Sequence, residues 1–286
     1  MKEIVIISGK GGTGKTTITA SLASLIPDKV IADCDVDAAD LHLLLDPEIK
    51  ERNDFYGGVK ASIDLDKCTG CGRCLEVCRY DAISSDFIVN DINCEGCGVC
   101  PYFCPEDAIT LIDRHSGEWY ISETRFGPMV HARLGIAEEN SGKLVSLIRR
   151  QAKTIAEDRG FDTILIDGSP GIGCPVISSI TGASIVVVVT EPTISGIHDL
   201  KRVISLNQHF KIESVVLINK SDINEEMTGK IRKRAEEQGI EVIGMIPYDP
   251  VVTRAMVHKK TVVEFTNSKV AMEIIKAGDV IFNKIR

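Results

Sequence analysis

Eight of the ten cysteines in this 286-residue chain fall between Cys68 and Cys104. Cys68, Cys71, Cys74 and Cys78 form a Cys-x2-Cys-x2-Cys-x3-Cys run, which recurs 26 positions later as Cys94, Cys97, Cys100 and Cys104. Gly70 and Gly72 map onto Gly96 and Gly98, and Asp81-Ala82-Ile83 onto Asp107-Ala108-Ile109, so one small unit is present twice. Thiolates this close together are metal or cluster ligands, and this run wraps a 4Fe–4S cubane, three thiolates around one cluster and the fourth reaching its neighbour. The ligand sets expected on that logic are Cys68, Cys71, Cys74 and Cys104 for one cluster, and Cys94, Cys97, Cys100 and Cys78 for the other. Zinc is the alternative for Cys-x2-Cys pairs, and the doubled pattern favours clusters. Pro105 follows Cys104 as the run expects, whereas Arg79 follows Cys78.

A second chemistry is carried by Gly9-Lys10-Gly11-Gly12-Thr13-Gly14-Lys15-Thr16, which fits G-x4-G-K-[ST]. Backbone N–H groups in such a loop, with the N-terminus of the following helix, cradle phosphates. Lys15 is expected on the β- and γ-phosphates and Thr16 on Mg²⁺. Thr17 faces the α-phosphate or only supports the helix start. Thr163-Ile164-Leu165-Ile166-Asp167 is an apolar run that would deliver Asp167 beside the magnesium. Val30-Ile31-Ala32-Asp33-Cys34-Asp35 likewise ends in carboxylates, of which Asp33 and the nearby Asp37 could be solvated or capping acids.

These residues need a frame. The pattern predicts strands at 3–7, 29–33, 162–167, 184–190, 214–218 and 240–246, with helices at 14–25, 140–159, 194–208, 225–238 and 269–284. Alternating strands and helices imply an α/β, doubly wound, mostly parallel sheet with right-handed crossovers. Few aromatics (5%) and runs such as Ile185–Val189 suit strands buried on both faces. The composition shifts near Gly57-Gly58 and again near Arg114-His115-Ser116-Gly117, so the cysteine block reads as an insertion. The division expected is 1–57 and 115–286 for the two parts of a P-loop domain, and 58–114 for an inserted small α+β module.

The formal charge of −8 lacks the basic stripe of a nucleic-acid binder, so no nucleic acid is expected as a partner. No apolar run approaches the ~18 residues of a membrane span. The N-terminus runs straight into a strand, so a cytoplasmic protein is expected. In a reducing compartment ten cysteines are not a disulfide framework.

The cysteine block resembles the two-cluster bacterial-type ferredoxins, which implies that electrons pass between its clusters. Purely structural clusters are the bland alternative. Lys10, a second lysine in the phosphate loop, makes the rest of the chain similar to the deviant Walker A ATPases of the MinD/ParA/nitrogenase-iron-protein class. That resemblance implies ATP and Mg²⁺ as ligands and an ATP-dependent homodimer, or related heterodimer, in which Lys10 reaches the partner's phosphates. It also makes Asp35 the residue that positions the attacking water, Gly168-Ser169-Pro170-Gly171 the second switch, Asn219 the reader of the base edge, and Pro247-Tyr248-Asp249-Pro250-Val251 the base-flanking loop. Asn219-Lys220-Ser221-Asp222 also spells the N-K-x-D guanine motif, but the two-lysine loop favours ATP.

Cys174 lies seven positions after Asp167, like a cluster ligand of the nitrogenase iron protein, but position 139, where that protein's second cysteine would fall, is Glu139. A small buried thiol is the reading for Cys174, and core packing for Cys34. Arg125–Ala132 leads back to the sheet and is a candidate relay between nucleotide state and clusters; within it His131 is read as structural, and Ser141 as a cap for the next helix. The final helix carries too few cations for a membrane anchor and should pack on the sheet. Together these imply an ATPase whose nucleotide-gated dimer couples turnover to electron transfer through two 4Fe–4S clusters, with a redox or iron–sulfur partner protein. The alternatives are a cluster-carrier ATPase similar to the Mrp type and a MinD/ParA-like positioning ATPase with structural clusters.

Overall fold

The structure is a computed structural model that describes residues 1–135 and 142–286; Glu139 and Ser141 lie outside the described residues. The chain runs through β1 (Lys2–Ser8), α1 (Lys15–Leu25), β2 (Lys29–Asp33), α2 (Leu41–Leu45), β3 (Glu48–Ile63), α3 (Arg73–Val77), α4 (Val99–Phe103), β4 (Ile109–Thr124), β5 (Gly127–Leu134) and α5 (Gly142–Arg159). It continues through β6 (Thr163–Pro170), α6 (Cys174–Ile180), β7 (Ile185–Thr190), α7 (Ile194–His209), β8 (Ser214–Asn219), α8 (Glu225–Glu237), β9 (Glu241–Ile246), α9 (Val251–Val257), α10 (Val262–Phe265) and α11 (Lys269–Ile285).

Among the described residues the strands form one sheet in the order β3-β4-β5-β2-β6-β1-β7-β8-β9. From β5 to β9 every neighbouring pair is parallel. The central strands are runs of β-branched residues with no exposed surface, such as Ile4–Ile7 and Val186–Val189, as a sheet covered on both faces requires. Their side chains divide by alternation. Ile4, Ile6, Ile31, Leu165, Val187 and Leu217 share one core with Ile18 and Leu22 of α1 and Ile274 and Ile281 of α11. Val5, Ile7, Val30, Ile164 and Ile166 are equally buried but point to the other side, where α5 packs against β2 and α6. Burying each such side chain contributes about 1.5–3 kcal/mol. The last helix packs on α1 and β9 with Val270, Ala271, Ile274 and Ala277 buried, and no helix among the described residues is long and apolar enough to cross a membrane.

The chain divides into two compact units. One comprises Met1–Asn53, Trp119–Arg133 and the described chain from Gly142 onward; the other comprises Asp54–Glu118 with Leu134 and Gly135. The glycine pair Gly57-Gly58, read from composition as a break, instead lies within β3. A Cβ on Gly57 would stand 2.9 Å from Ser116 Oγ, so close approach, not a linker, explains the residue. Arg125–Ala132, read as the return to the sheet, instead covers the β4–β5 turn and most of β5 itself. That two-residue turn is closed at Gly127, whose φ of 116° favours glycine. The strand carrying Asp167 extends to Pro170, so the predicted Gly-Ser-Pro-Gly turn starts three residues later than the sequence suggests. A Cβ on Gly168 would meet Ile7 Cγ2 at 2.7 Å, which keeps β6 tight against β1.

Candidate functional site

The phosphate loop joins β1 to α1 and opens on a cavity of about 370 Å³. Gly11–Ile18 line one end, with Asp35 and Asp40 beside them; Leu44, Ile246, Val252, Met256, Val270 and Ile274 make an apolar wall. Two glycines in the loop have steric reasons. Gly14 has φ 91°, and a Cβ there would overlap Asn219 Nδ2 at 2.3 Å; a Cβ on Gly9 would overlap Asp199 Cβ at the same distance. Asn219, expected at a base edge, here donates from Nδ2 to the Thr13 carbonyl at 2.8 Å and so braces the loop.

Lys15 is 5% exposed and reaches Asp167 Oδ1 at 2.9 Å and Asp35 Oδ2 at 3.1 Å. Burial opposes its charge, but Asp167 and Asp35 outweigh burial and raise the Lys15 pKa above its ordinary value. Asp167 also accepts from Thr16 Oγ1 and Thr19 Oγ1, each at 2.8 Å. Asp33 is fully enclosed: Oδ1 accepts the Asp35 N–H at 3.1 Å, and Oδ2 has no hydrogen-bond partner. It is therefore not the solvated acid that sequence allows. Burial, with Asp167 next, pushes the Asp33 carboxyl well above the usual carboxylate range, and burial also raises Asp35. A hydroxyl paired with a carboxylate, beside an orphaned buried carboxylate oxygen, is an all-oxygen donor set that fits Mg²⁺. Thr17 lines the same cavity.

Lys10 is one-third exposed and bound within its own chain, 2.7 Å from Glu191 Oε1 and 2.9 Å from Ser195 Oγ. Glu191 Oε2 takes Lys220 at 2.9 Å, and Lys220 Nζ also donates to the Gly12 carbonyl at 3.1 Å. Sequence reasoning missed Glu191, Thr19 and the burial of Asp33. One signal was available for Glu191: it directly follows β7, at the carboxyl end of a parallel strand where ligand sites gather. Pro247 and Tyr248 do not line the cavity, and Tyr248 is exposed. The Tyr248 N–H donates to Asp222 Oδ1 at 2.7 Å, so the last residue of the N-K-x-D string holds the loop after β9.

In the second unit the cysteines form two groups. Cys68, Cys71, Cys74 and Cys104 line one small cavity, and Cys78, Cys94, Cys97 and Cys100 line another. The sequence repeat is also a conformational one. Gly72 and Gly98 precede α3 and α4 at φ 77° and 76°, and Asp81 and Asp107 adopt φ 47° and 48°. The Ala82 N–H meets Cys78 Sγ at 3.4 Å, as the Ala108 N–H meets Cys104 Sγ at 3.3 Å. A Cβ on Gly96 would stand 2.1 Å from the Val59 carbonyl oxygen, so this turn needs glycine. Among the described residues no group of three or more His, Cys, Asp or Glu side chains is set to hold a single metal ion. A cubane asks for something else, since its thiolates bind separate irons and stand farther apart than the about 3.8 Å between sulfurs on one zinc. Four thiols line each cavity, and backbone N–H groups meet the sulfurs of Cys104 in one set and of Cys78 and Cys94 in the other, a donor chemistry that fits that group.

Two other expectations are settled by exposure. Cys174, read as a buried thiol, is exposed at the start of α6, while Cys34 is fully buried. His131 is buried, stacked on Tyr120 at 5.0 Å between ring centroids and hydrogen-bonded to Ser122 Oγ at 2.9 Å. That is a structural histidine, and burial lowers its pKa to about 4.

With this geometry in view, residues 4–262 match the sequence profile of the CobQ/CobB/MinD/ParA nucleotide binding domain. The chain is 37% identical over 276 residues to the uncharacterized protein MJ0578 of Methanocaldococcus jannaschii, covering 95% of this chain and 93% of that one. It is 28% identical over 258 residues to the putative septum site-determining protein MinD of Oltmannsiellopsis viridis, covering 87% and 65%. Among solved structures it is similar to the septum site-determining protein MinD complexed with Mg-ADP from Pyrococcus horikoshii, with a TM-score of 0.59, 19% identity, and 98% and 95% of the two chains covered.

Proposed function

The chain belongs to the CobQ/CobB/MinD/ParA nucleotide-binding domain family, and from that premise we propose that it is an ATPase whose turnover gates electron transfer through two 4Fe–4S clusters. ATP occupies the cavity above α1, its phosphates on the loop Gly9–Thr16 and its base against the apolar wall. The related Pyrococcus horikoshii protein is complexed with Mg-ADP, and here Thr16 and Asp167 would hold the ion, which supplies charge neutralisation at the phosphates. Lys15 turns from Asp167 and Asp35 to the β- and γ-phosphates. Asp35, released from Lys15, orients the attacking water, and Lys10 crosses to the phosphates of a second subunit. Stabilising charge on the transferring phosphoryl group is the larger part of such catalysis.

The redox half rests on one observation: the eight cysteines group four and four around two cavities. The sets are Cys68, Cys71, Cys74 and Cys104, and Cys94, Cys97, Cys100 and Cys78, held on residues 58–114 between the two parts of the P-loop domain. When bound, the clusters would supply one-electron storage. The acceptor or donor is a separate redox protein, and the working form is an ATP-dependent dimer. A cluster carrier would need a spare exposed cysteine pair, whereas outside these sets Cys34 is buried and Cys174 alone is exposed.

Anaerobic purification with iron and sulfide analysis, followed by electron paramagnetic resonance with ATP, ADP or no nucleotide, tests this. Cluster signals that change with nucleotide are expected. Colourless, iron-free protein refutes the redox half, and signals indifferent to nucleotide refute gating. The resemblance to septum site-determining proteins favours a second reading, a positioning ATPase with structural clusters. ATP-dependent cosedimentation with liposomes or DNA would support it.

A further inference from the structure

Arg125 stands in the turn between β4 and β5, and its guanidinium joins three separate elements of the nucleotide-binding unit. Nε and Nη2 donate to the two oxygens of Glu264 at 2.9 and 2.8 Å. Nη1 donates to the Leu45 carbonyl at 3.0 Å, and Nη2 to the carbonyls of Leu44 at 2.8 Å and Lys259 at 3.1 Å. The guanidinium also lies 4.6 Å over the Phe126 ring. The Leu44 and Leu45 carbonyls end α2 and have no partner within that short helix, so a fixed cation there completes it. Glu264 is itself fixed, because it forms a capping box with Thr261 at the start of α10. Lys259 follows α9 and, through Nζ, holds Asp46 after α2 at 2.8 Å.

These elements carry part of the apolar wall. Leu44 comes from α2, and Val252 and Met256 come from α9. The separation of Leu44 from Met256 is therefore held by one planar, five-donor side chain, a geometry lysine cannot reproduce, together with the Lys259–Asp46 pair. Arg125 directly follows β4, whose first residues, Ile109–Glu118, belong to the cysteine-rich unit.

We propose that Arg125 is a positioning residue that fixes the base side of the nucleotide pocket and, through β4, couples pocket occupancy to the cysteine-rich unit. This rests on the nucleotide-site reading above and adds its regulation. When a base enters between Leu44 and Met256, the wall shifts, the Arg125 contacts shift with it, and the strand end is tightened or released.

The test compares the full-length, anaerobically prepared wild type with Arg125→Gln and Arg125→Lys. Calorimetry measures ATP and inorganic tripolyphosphate, and hydrogen exchange follows the amides of residues 109–118. A wall-positioning role weakens ATP about tenfold in Arg125→Gln and less in Arg125→Lys, and leaves tripolyphosphate unchanged because the phosphate loop is untouched. Coupling requires that ATP alter exchange in β4 of the wild type and fail to do so in Arg125→Gln. Equal losses for both ligands in both variants would mark a general structural role and overturn the proposal. So would unchanged ATP affinity, or β4 exchange that ignores ATP in the wild type. A wild type that binds no ATP overturns this inference together with the nucleotide reading, whereas ATP binding with indifferent variants overturns this inference alone.

Discussion

Replacing Glu191 with glutamine probes how Lys10 is stored before it acts. Glu191 is 14% exposed in its side chain and holds Lys10 on one oxygen and Lys220 on the other. Burial would raise its pKa, but the two lysines outweigh burial and hold the carboxyl below its usual range. It is therefore ionised at neutral pH, and if Lys10 crosses to another subunit's phosphates, as proposed above, it must first leave this carboxylate. A partly exposed ion pair of this kind contributes up to about 1 kcal/mol. A symmetric dimer breaks two, so up to about 2 kcal/mol of association free energy offsets their loss, and removing the carboxylate should tighten ATP-dependent dimerisation by up to about 30-fold. Sedimentation velocity with a non-hydrolysable ATP analogue measures the dimer constant directly. Combining Glu191→Gln with Lys10→Ala should abolish the gain. A dimer constant that is unchanged or weaker in Glu191→Gln would show that this contact is no in-chain latch, and the reasoning would fail.

Lys15→Ala should lose triphosphate binding in calorimetry. It should also lower stability by about 3–5 kcal/mol in urea titrations at neutral pH, because Asp167 and Asp35 are left buried without their cation. Cys74→Ser and Cys100→Ser, each made alone, should each halve the iron per chain, since the two residues line different cavities; loss of all iron from either would mean that the two sets are not independent. His131 gives a pH test. Burial lowers its pKa from 6.5 to about 4 in the folded chain, so between those values the unfolded chain binds more protons. Stability should fall as pH drops through that window, by about 3 kcal/mol in all, and urea midpoints of His131→Gln should show a correspondingly flatter profile.

The parallel core was legible because its signal is local: Ile4–Ile7 and Ile185–Val189 are apolar without interruption, and strands buried on both faces must be. The phosphate loop was legible for the same reason, since its spacing and its place after a strand are both written within a few residues. The β3–β5 region was not. Glu48–Ile63 carries charges at successive positions and is mostly exposed, so neighbour pairing, not an apolar face, makes it a strand. Glu191 was hidden because its partner Lys10 is distant in sequence, and only the sheet order brings β7 beside β1. Asp33 and Asp35 look alike as carboxylates ending a strand, but the fold gives one an orphaned oxygen in the core and the other a lysine. Cys174 followed the common tendency of cysteine to be buried, yet it opens α6, with Pro175 next in the first turn, and the thiol stays at the surface.

The cysteine-rich segment departs at the end of β3 and returns at the start of β4, and these two strands are neighbours in the sheet. Strand pairing already holds the two attachment points together, so closing a loop of any length between them costs the host little extra entropy. An ordinary hairpin turn would satisfy the same two strand ends. The cysteine-rich segment thus occupies a position where it can be enlarged, exchanged or trimmed to a turn without rewriting the parallel strands that support the phosphate loop.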